Sequence, residues 1–385
     1  MTMPSSTVAT PSQTASSPAV TPLPPLTIGN FTLPIPIIQG GMGIRVSAHK
    51  LASAVANVGG AGVIATVALS LASKYYNKGK DYYKANIKAL IDELLLAREI
   101  SPHGIIGTNC MVAIRDFESM VRTSLENGAQ FIIAGAGLPL RLPEFAASNP
   151  KAALIPIVSS LRAAVLIAKR WHKLYKRLPD AILFEDPNTA GGHLGADRPN
   201  IFSLDFSLER VIPELVQWVR KEYGGEIPII SAGGIWDRQD IDRVMSLGAK
   251  GVQMATRFIC THECDAAQSF KDAFIQAKDG DVVIIDSPAG LPGRALSSPF
   301  TRKLFRGDEV DAKCFATCLS ACLCRDEEST FCIARALHQA QQGDLENGLV
   351  FTGTNATRHT RMTSVREIFE ELNGCTVPPP VPGFA

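Results

Sequence analysis

A closed (β/α)8 barrel with a C-terminal appended segment is the fold class that this sequence predicts. Eight short, continuous apolar runs follow one another from residue 35 onward, amphipathic helical stretches fill the gaps between them, and each run ends in Gly, Asn, Ser or Thr. Continuous rather than alternating apolar runs are what strands covered on both faces require, as in a parallel sheet. Eight βα units in about 225 residues fit a closed barrel by count and by length. Repeated βα units alone would also suit an open, doubly wound sheet. The seventh run ends in Gly233-Gly234 and the eighth in Ala255-Thr256, at the positions where barrels commonly bind phosphate, and this favours closure.

The runs, in order, are Ile35–Ile38, Gly62–Ala65, Gly104–Thr108, Phe131–Ala134, Ala153–Val158, Ala181–Phe184, Ile227–Ile230 and Gly251–Met254. Helical periodicity covers Ala48–Val58, Tyr82–Arg98, Phe117–Asn127, Leu161–Leu174, Leu208–Tyr223 and Arg238–Leu247. Residues 1–25, rich in Ser, Thr and Pro, bury too little to offset the entropy of ordering and are expected to be a disordered leader. The barrel then occupies residues 26–264, and residues 265–385 form a helical and loop appendage that completes the pocket. In that appendage Asp286–Arg294 reads as a structured loop shaped by Pro and Gly. It either covers the pocket with Arg294 facing an anion or leaves Arg294 solvated on the surface. Helices are expected at Ser329–Gly343 and Val365–Leu372, a short apolar strand or loop at Gly348–Gly353, and an extended tail around Pro378–Pro382.

The chain has 385 residues, 46% of them hydrophobic, and a formal charge of +1. It can bury a large core, and it has no basic excess that would draw it to nucleic acid. No stretch of about twenty apolar residues offers a membrane span, and neither a secretory nor a mitochondrial signal is convincing. A soluble, cytoplasmic protein acting on a small molecule is expected. Cys314, Cys318, Cys322, Cys324 and Cys332 are spaced as if along one helical face, where thiolates would bind zinc or an iron-sulfur cluster. Paired C-x2-C knuckles are absent and Phe315, Leu319 and Leu323 intervene, so apolar packing is the reading adopted and no metal is assigned. His49 and His172 are read as outer-face residues of barrel helices. Glu263 and Asp265 follow the eighth run and either reach the barrel mouth or, for Asp265, cap the next helix.

Barrel chemistry sits at the strand C-terminal ends. Ala190-Gly191-Gly192-His193-Leu194-Gly195, after the sixth run, places an imidazole among Cβ-free residues, where it can approach a flat ligand and exchange protons near neutral pH. A turn histidine that only caps a loop is the bland alternative. The first run ends in Gln39-Gly40-Gly41-Met42-Gly43, the third leads to Asn109, and the sixth to Glu185. Across the mouth, Ser231-Ala232-Gly233-Gly234-Ile235 and Gln253-Met254-Ala255-Thr256-Arg257 suit a phosphate dianion. A floor of amides and glycines with a phosphate cradle opposite suits flavin mononucleotide (FMN), although sugar phosphates use similar cradles and a flavin-free phosphate-binding barrel stays open.

These motifs, in this order, resemble those of nitronate monooxygenases, formerly called 2-nitropropane dioxygenases, over roughly residues 28–300. The resemblance implies that Gly41, Met42 and Gly43 border the isoalloxazine, that Asn109 hydrogen-bonds it and that Gly192 lies near the ring system. Gly233, Gly234, Ala255 and Thr256 would hold the phosphate, with Gln253 nearby. Family members often have glycine where this chain has Ala255, and a methyl there requires negative φ. His193 would be catalytic, either as general base toward a nitroalkane or as hydrogen-bond donor to a nitronate, with O2 as the electron acceptor. The same superfamily includes FMN-dependent enoyl-acyl-carrier-protein reductases and NAD(P)H:quinone reductases. An NAD(P)H-dependent flavin reductase acting on quinones or enoyl thioesters is therefore the alternative activity. The expected partners are the small-molecule substrate, O2 and, in that alternative, NAD(P)H, with a homodimer left open.

Overall fold

Two three-residue strands, β1 (Leu26–Ile28) and β2 (Phe31–Leu33), pair antiparallel ahead of the main sheet in the computed structural model, which describes residues 21–77, 80–326 and 330–374. Eight parallel strands then close into a barrel: β3 (Ile37–Gln39), β4 (Ala61–Ala65), β5 (Ile105–Met111), β6 (Phe131–Gly135), β7 (Ala153–Val158), β8 (Ile182–Glu185), β10 (Ile229–Ala232) and β11 (Gly251–Met254). Closure runs from β8 to β10 and from β11 to β3. All eight apolar runs fall on barrel strands, with ends displaced where hydrogen bonding and hydrophobicity part company. β3 starts only after Pro36, which has no N–H to give a ladder.

Side chains alternate across each strand. Ile38, Val63, Phe131, Ile133, Ile155, Leu183 and Ile230 fill the barrel interior, and Leu26, Ile28 and Leu33 of the β1–β2 hairpin join the same cluster. A Cβ placed on Gly251, the first residue of β11, would lie 2.7 Å from Leu26, so the hairpin plugs the strands' N-terminal end. The C-terminal end is left as the working face. The opposite sides of the strands, among them Ile37, Ile64, Ile132, Phe184 and Val252, pack under the helices.

Those helices are α1 (His49–Asn57), α2 (Tyr82–Ile100), α3 (Phe117–Glu126), a single turn α4 (Leu142–Phe145), α5 (Leu161–Tyr175), α6 (Leu208–Tyr223) and α7 (Arg238–Ser246). Gly62 faces α1 so closely that a Cβ there would sit 1.9 Å from the Ala52 carbonyl oxygen. Neither partner is a flexible side-chain end, so Gly62→Ala is expected to push α1 off β4 at a cost of about 1–3 kcal/mol. A lower thermal unfolding midpoint checks this, and an unchanged midpoint contradicts it.

Beyond the barrel lie α8 (Gln268–Ile275), β12 (Val282–Asp286), β13 (Pro292–Leu296), α9 (Pro299–Arg306), α10 (Leu323–Asp326), α11 (Ile333–Gln341) and α12 (Val365–Asn373). Asp286–Arg294, expected to be a loop, is instead the turn and second strand of an antiparallel hairpin. β13 also pairs with β9 (Gly192–His193), so the appendage and the histidine loop share one three-stranded sheet. The cysteine segment differs as well. Residues 314–322 carry no helix, and of the five cysteines only Cys324 lies within α10.

Asp265 does not cap its own helix, whose N-cap position is Ala267. Its carboxylate instead accepts the Ala48 and Leu51 N–H groups and so caps α1 from a distance. Glu263 turns away from the mouth to accept the Val365 N–H. His172 is exposed, whereas His49 is half-buried and bonded to Glu93 at 2.6 Å. Leu23, within the expected leader, is buried, and its N–H donates to Asn373 Oδ1 at 2.9 Å. Residues 1–20 and the Pro378–Pro382 tail lie outside the described residues. Among those described, no helix is long and apolar enough to cross a membrane.

Candidate active site

A cavity of about 630 Å³ opens at the C-terminal ends of the barrel strands. The eleven residues singled out in the sequence, Gly41, Met42, Gly43, Asn109, Gly192, His193, Gly233, Gly234, Gln253, Ala255 and Thr256, all line it. Three connections bring in the glycines. A Cβ on Gly41 would meet Asn109 Cβ at 2.4 Å, and one on Gly43 would meet Val67 at 2.2 Å, so the first loop runs flat against its neighbours. Gly192 has φ +70°, a conformation that costs glycine little.

His193 is held from three sides. Its backbone pairs with Gly293 of β13. Its ring stands edge-on to Phe351 at 5.1 Å, and its Nε2 lies 2.7 Å from Ser287 Oγ. Ser287 is buried and accepts the Ala289 N–H; among the described residues Nε2 is the one acceptor bonded to its hydroxyl, which assigns the hydroxyl proton to Nε2. That assignment leaves Nδ1–H as the free donor of the imidazole. Burial pushes the imidazolium pKa down to about 4, so the ring is neutral at physiological pH.

Arg294 is neither a solvated surface residue nor an anion contact. It is 1% exposed, and its guanidinium donates to the carbonyl oxygens of Ala190, Asn188 and Pro187, the chain leading into His193. Among the described residues no carboxylate pairs with it directly, and burial lowers its pKa to about 10. It remains charged at neutral pH, compensated by three peptide dipoles.

The cavity floor is the top layer of the barrel interior, and it is polar. Asn109 of β5, Glu185 of β8 and Gln253 of β11 all line it. Gln253 Oε1 is buried without a hydrogen-bond partner. Glu185 is pushed up to about 7, first by burial and then by the neighbouring Asp186 charge. On the opposite rim Gly233 and Gly234 take φ +94° and +69° against Thr189. Ala255 sits at φ −115°, so the negative φ that its methyl requires is present. Thr256 is clamped by the appendage: its Oγ1 accepts the Gly353 N–H at 3.1 Å, and its carbonyl accepts His359 Nε2–H at 2.8 Å.

His359, which had no local sequence signal, is buried between Trp236 and Phe274. Burial also lowers its pKa to about 4. The five cysteines bring no metal set together: among the described residues no group of three or more His, Cys, Asp or Glu is placed to hold an ion. Cys318 and Cys324 are thiols pushed up to about 12, first by burial, so they stay protonated and pack as small apolar groups.

A flavin fits these residues. An unpartnered buried amide oxygen needs an N–H donor, which the edge of an isoalloxazine carries. Glycine backbone beside a threonine hydroxyl suits a phosphate. Among the described residues no Lys or Arg lines the cavity, so the ligand's negative charge would rest on dipoles rather than ion pairs.

Comparisons with known proteins agree with the barrel fold. The Thermotoga maritima protein FabK has the same fold, with TM-score 0.66 at 24% identity over 88% of this chain and 91% of that one. A nitroalkane oxidase from Streptomyces ansochromogenes superposes with TM-score 0.66 at 18% identity, covering 88% of this chain and 95% of that one. In sequence, a probable nitronate monooxygenase of Staphylococcus saprophyticus is 34% identical over 122 residues, 31% of this chain and 33% of that protein. A Mycobacterium tuberculosis hydroxy-methyl-oxo-octahydroindene-carboxyl-CoA dehydrogenase is 28% identical over 288 residues, 74% of this chain and 68% of that protein. The match thus spans only about a third of the staphylococcal relative. The family model described as nitronate monooxygenase, however, matches residues 25–374, from the β1–β2 plug to the end of α12, and the chain therefore belongs to the nitronate monooxygenase family of oxidoreductases.

Proposed function

We propose that this enzyme binds FMN and oxidises alkyl nitronates with O2 as the electron acceptor. The observation that carries the reading is His193: a neutral imidazole with a free Nδ1–H on the wall of a cavity whose rim and floor suit a flavin. Gly41, Met42, Gly43, Asn109 and Gly192 would border the ring, and Gly233, Gly234, Ala255 and Thr256 would hold the phosphate, with Gln253 near the ring edge. The flavin would accept electrons from the substrate and return them to O2.

The chain's own residues orient the substrate and screen it from water. A base whose conjugate acid lies near 4 removes a carbon-bound proton poorly, since each unit of pKa mismatch costs about 1.4 kcal/mol. A nitronate already in anionic form asks only for a donor. Its charge beside His193 opposes the desolvation that keeps the ring neutral, so the hydrogen bond strengthens on binding. His193 is thus the donor to the nitro oxygens rather than a general base.

A second reading has its own support. A cavity wall without Lys or Arg among the described residues favours a neutral substrate, as in an NAD(P)H-dependent reductase of quinones or enoyl thioesters, where His193 would donate to the substrate carbonyl. Anaerobic mixing of the FMN-loaded protein separates the two. Fast bleaching by a nitronate and slow bleaching by NADH or NADPH is the expected result. The reverse order would replace the first reading with the second.

A further inference from the structure

Every group assigned above to flavin or substrate lies at or before Thr256, yet the appendage supplies a wall of the same cavity. That wall begins beside the histidine. Phe351 stands edge-on to the His193 ring at 5.1 Å, and Leu349 lies just before it on the same stretch of chain. The Leu349 N–H donates to the Ala336 carbonyl of α11 at 3.0 Å, which carries the wall onto that helix. Ile333, Ala334 and Leu337 share one face of α11, and all three line the cavity. Leu319 lines it as well, pinned to the barrel by a bridge to Ile114 and by the Ser320 N–H, which donates to the Ala113 carbonyl at 2.9 Å. The run of cysteines thus delivers Leu319 to the cavity and ends at Cys332, the residue before α11.

We infer that this wall is a subsite for the alkyl chain of the substrate, and that Ala334 sets the length of chain it takes. The inference rests on the nitronate reading above, in which His193 holds the nitro end. Leu319, Ile333, Ala334 and Leu349 are buried and yet line the cavity, so the space beside them is shielded from bulk water. Among the described residues the appendage brings no charged side chain to the cavity. A methylene chain gains there by leaving water, whereas a charged or hydroxylated tail would shed its hydration against side chains that offer no partner. Ala334 is the small residue between Ile333 and Leu337 on the cavity face of α11. The wall recedes at its single methyl, and a larger side chain there would take the place of the chain end.

The test is steady-state turnover of preformed primary nitronates, from ethyl to octyl, by the FMN-loaded wild type, Ala334→Leu and Leu337→Ala. In the wild type KM should fall about fourfold for each methylene that the wall buries, with kcat nearly constant, until the chain outgrows the subsite. Ala334→Leu should lower the hexyl-to-ethyl ratio of kcat/KM by about tenfold, the equivalent of roughly two methylenes. Leu337→Ala, which widens the same face, should move the optimum to a longer chain. A wild-type KM that does not change with chain length would overturn the subsite and leave the nitronate reading standing, and so would a chain-length dependence that both variants share unchanged. A wild type that turns over none of these nitronates would overturn both.

Discussion

His193→Asn is expected to retain FMN and to lower turnover of a preformed nitronate by about a hundredfold or more. The asparagine amide is shorter than the imidazole, so it loses the 2.7 Å contact with Ser287 Oγ and withdraws the donor from the cavity. The phosphate side is untouched, because Thr256 is held by Gly353 and His359 rather than by His193, and Gly233 and Gly234 lie on the separate turn after β10. Flavin content by absorbance and kcat at saturating nitronate check the two halves separately. Near-normal turnover would remove His193 from the mechanism, and loss of flavin would make it structural. Ser287→Ala probes the same point more gently: the ring keeps its place between β13 and Phe351 but is free to put its proton on Nε2.

The same burial has a consequence for stability whose sign is fixed. His193 titrates at about 4 in the folded protein and near 6.5 when unfolded. As pH falls below 6.5 the unfolded chain takes up a proton that the folded chain refuses. Stability is therefore present in full above pH 6.5 and drains as pH falls toward 4. His359 adds a second contribution of the same sign. Glu185, raised to about 7, opposes them by costing stability as pH rises from 4.5 to 7. Urea midpoints measured at pH 5 and pH 7 should differ less in His193→Asn than in the wild type.

What could be read in the sequence was what lies close together along it. The eight barrel strands announce themselves through apolar runs four to six residues long, and the histidine loop through six consecutive residues. Three-residue strands such as β1 and β2 are too short for any periodicity to register. The hairpin of β12 and β13 was hidden for another reason. β13 reads Pro-Gly-Arg-Ala-Leu, a composition that suggests a turn, and it becomes a strand only because β9 and β12 offer ladders on both sides. The groups that hold the site in shape were illegible because their partners are far off in sequence. Ser287 is 94 residues from His193, His359 is 103 from Thr256, and Arg294 is 104 from Ala190. For Arg294 the local sequence offers only a lid residue or a solvated one, since nothing near it reveals that three carbonyl oxygens converge on it.

Arg294→Met is expected to be among the most damaging single changes in the chain. Methionine matches the length of the arginine stem and fills similar space, so packing alone is little disturbed. What disappears is the donor set. The carbonyls of Pro187, Asn188 and Ala190 would be left in a pocket from which water is excluded, and each buried acceptor without a partner costs about 1–3 kcal/mol. With partial relaxation the loss is about 3–5 kcal/mol, a large share of the roughly 5–15 kcal/mol that stabilises a typical domain. Arg294→Lys should fall between, because an ammonium keeps the charge but cannot span three carbonyls in one plane. The loop that suffers contains Gly191 and Gly192, which permit the turn without enforcing it, so its order is imposed from β13. In Arg294→Met the urea midpoint should therefore drop, and kcat should fall even in protein that still binds FMN, because Nδ1–H no longer has a fixed direction. A variant that unfolds at the wild-type midpoint would show that solvent reaches those carbonyls after all, and that the guanidinium is a passenger in the hairpin rather than the clamp on the histidine loop.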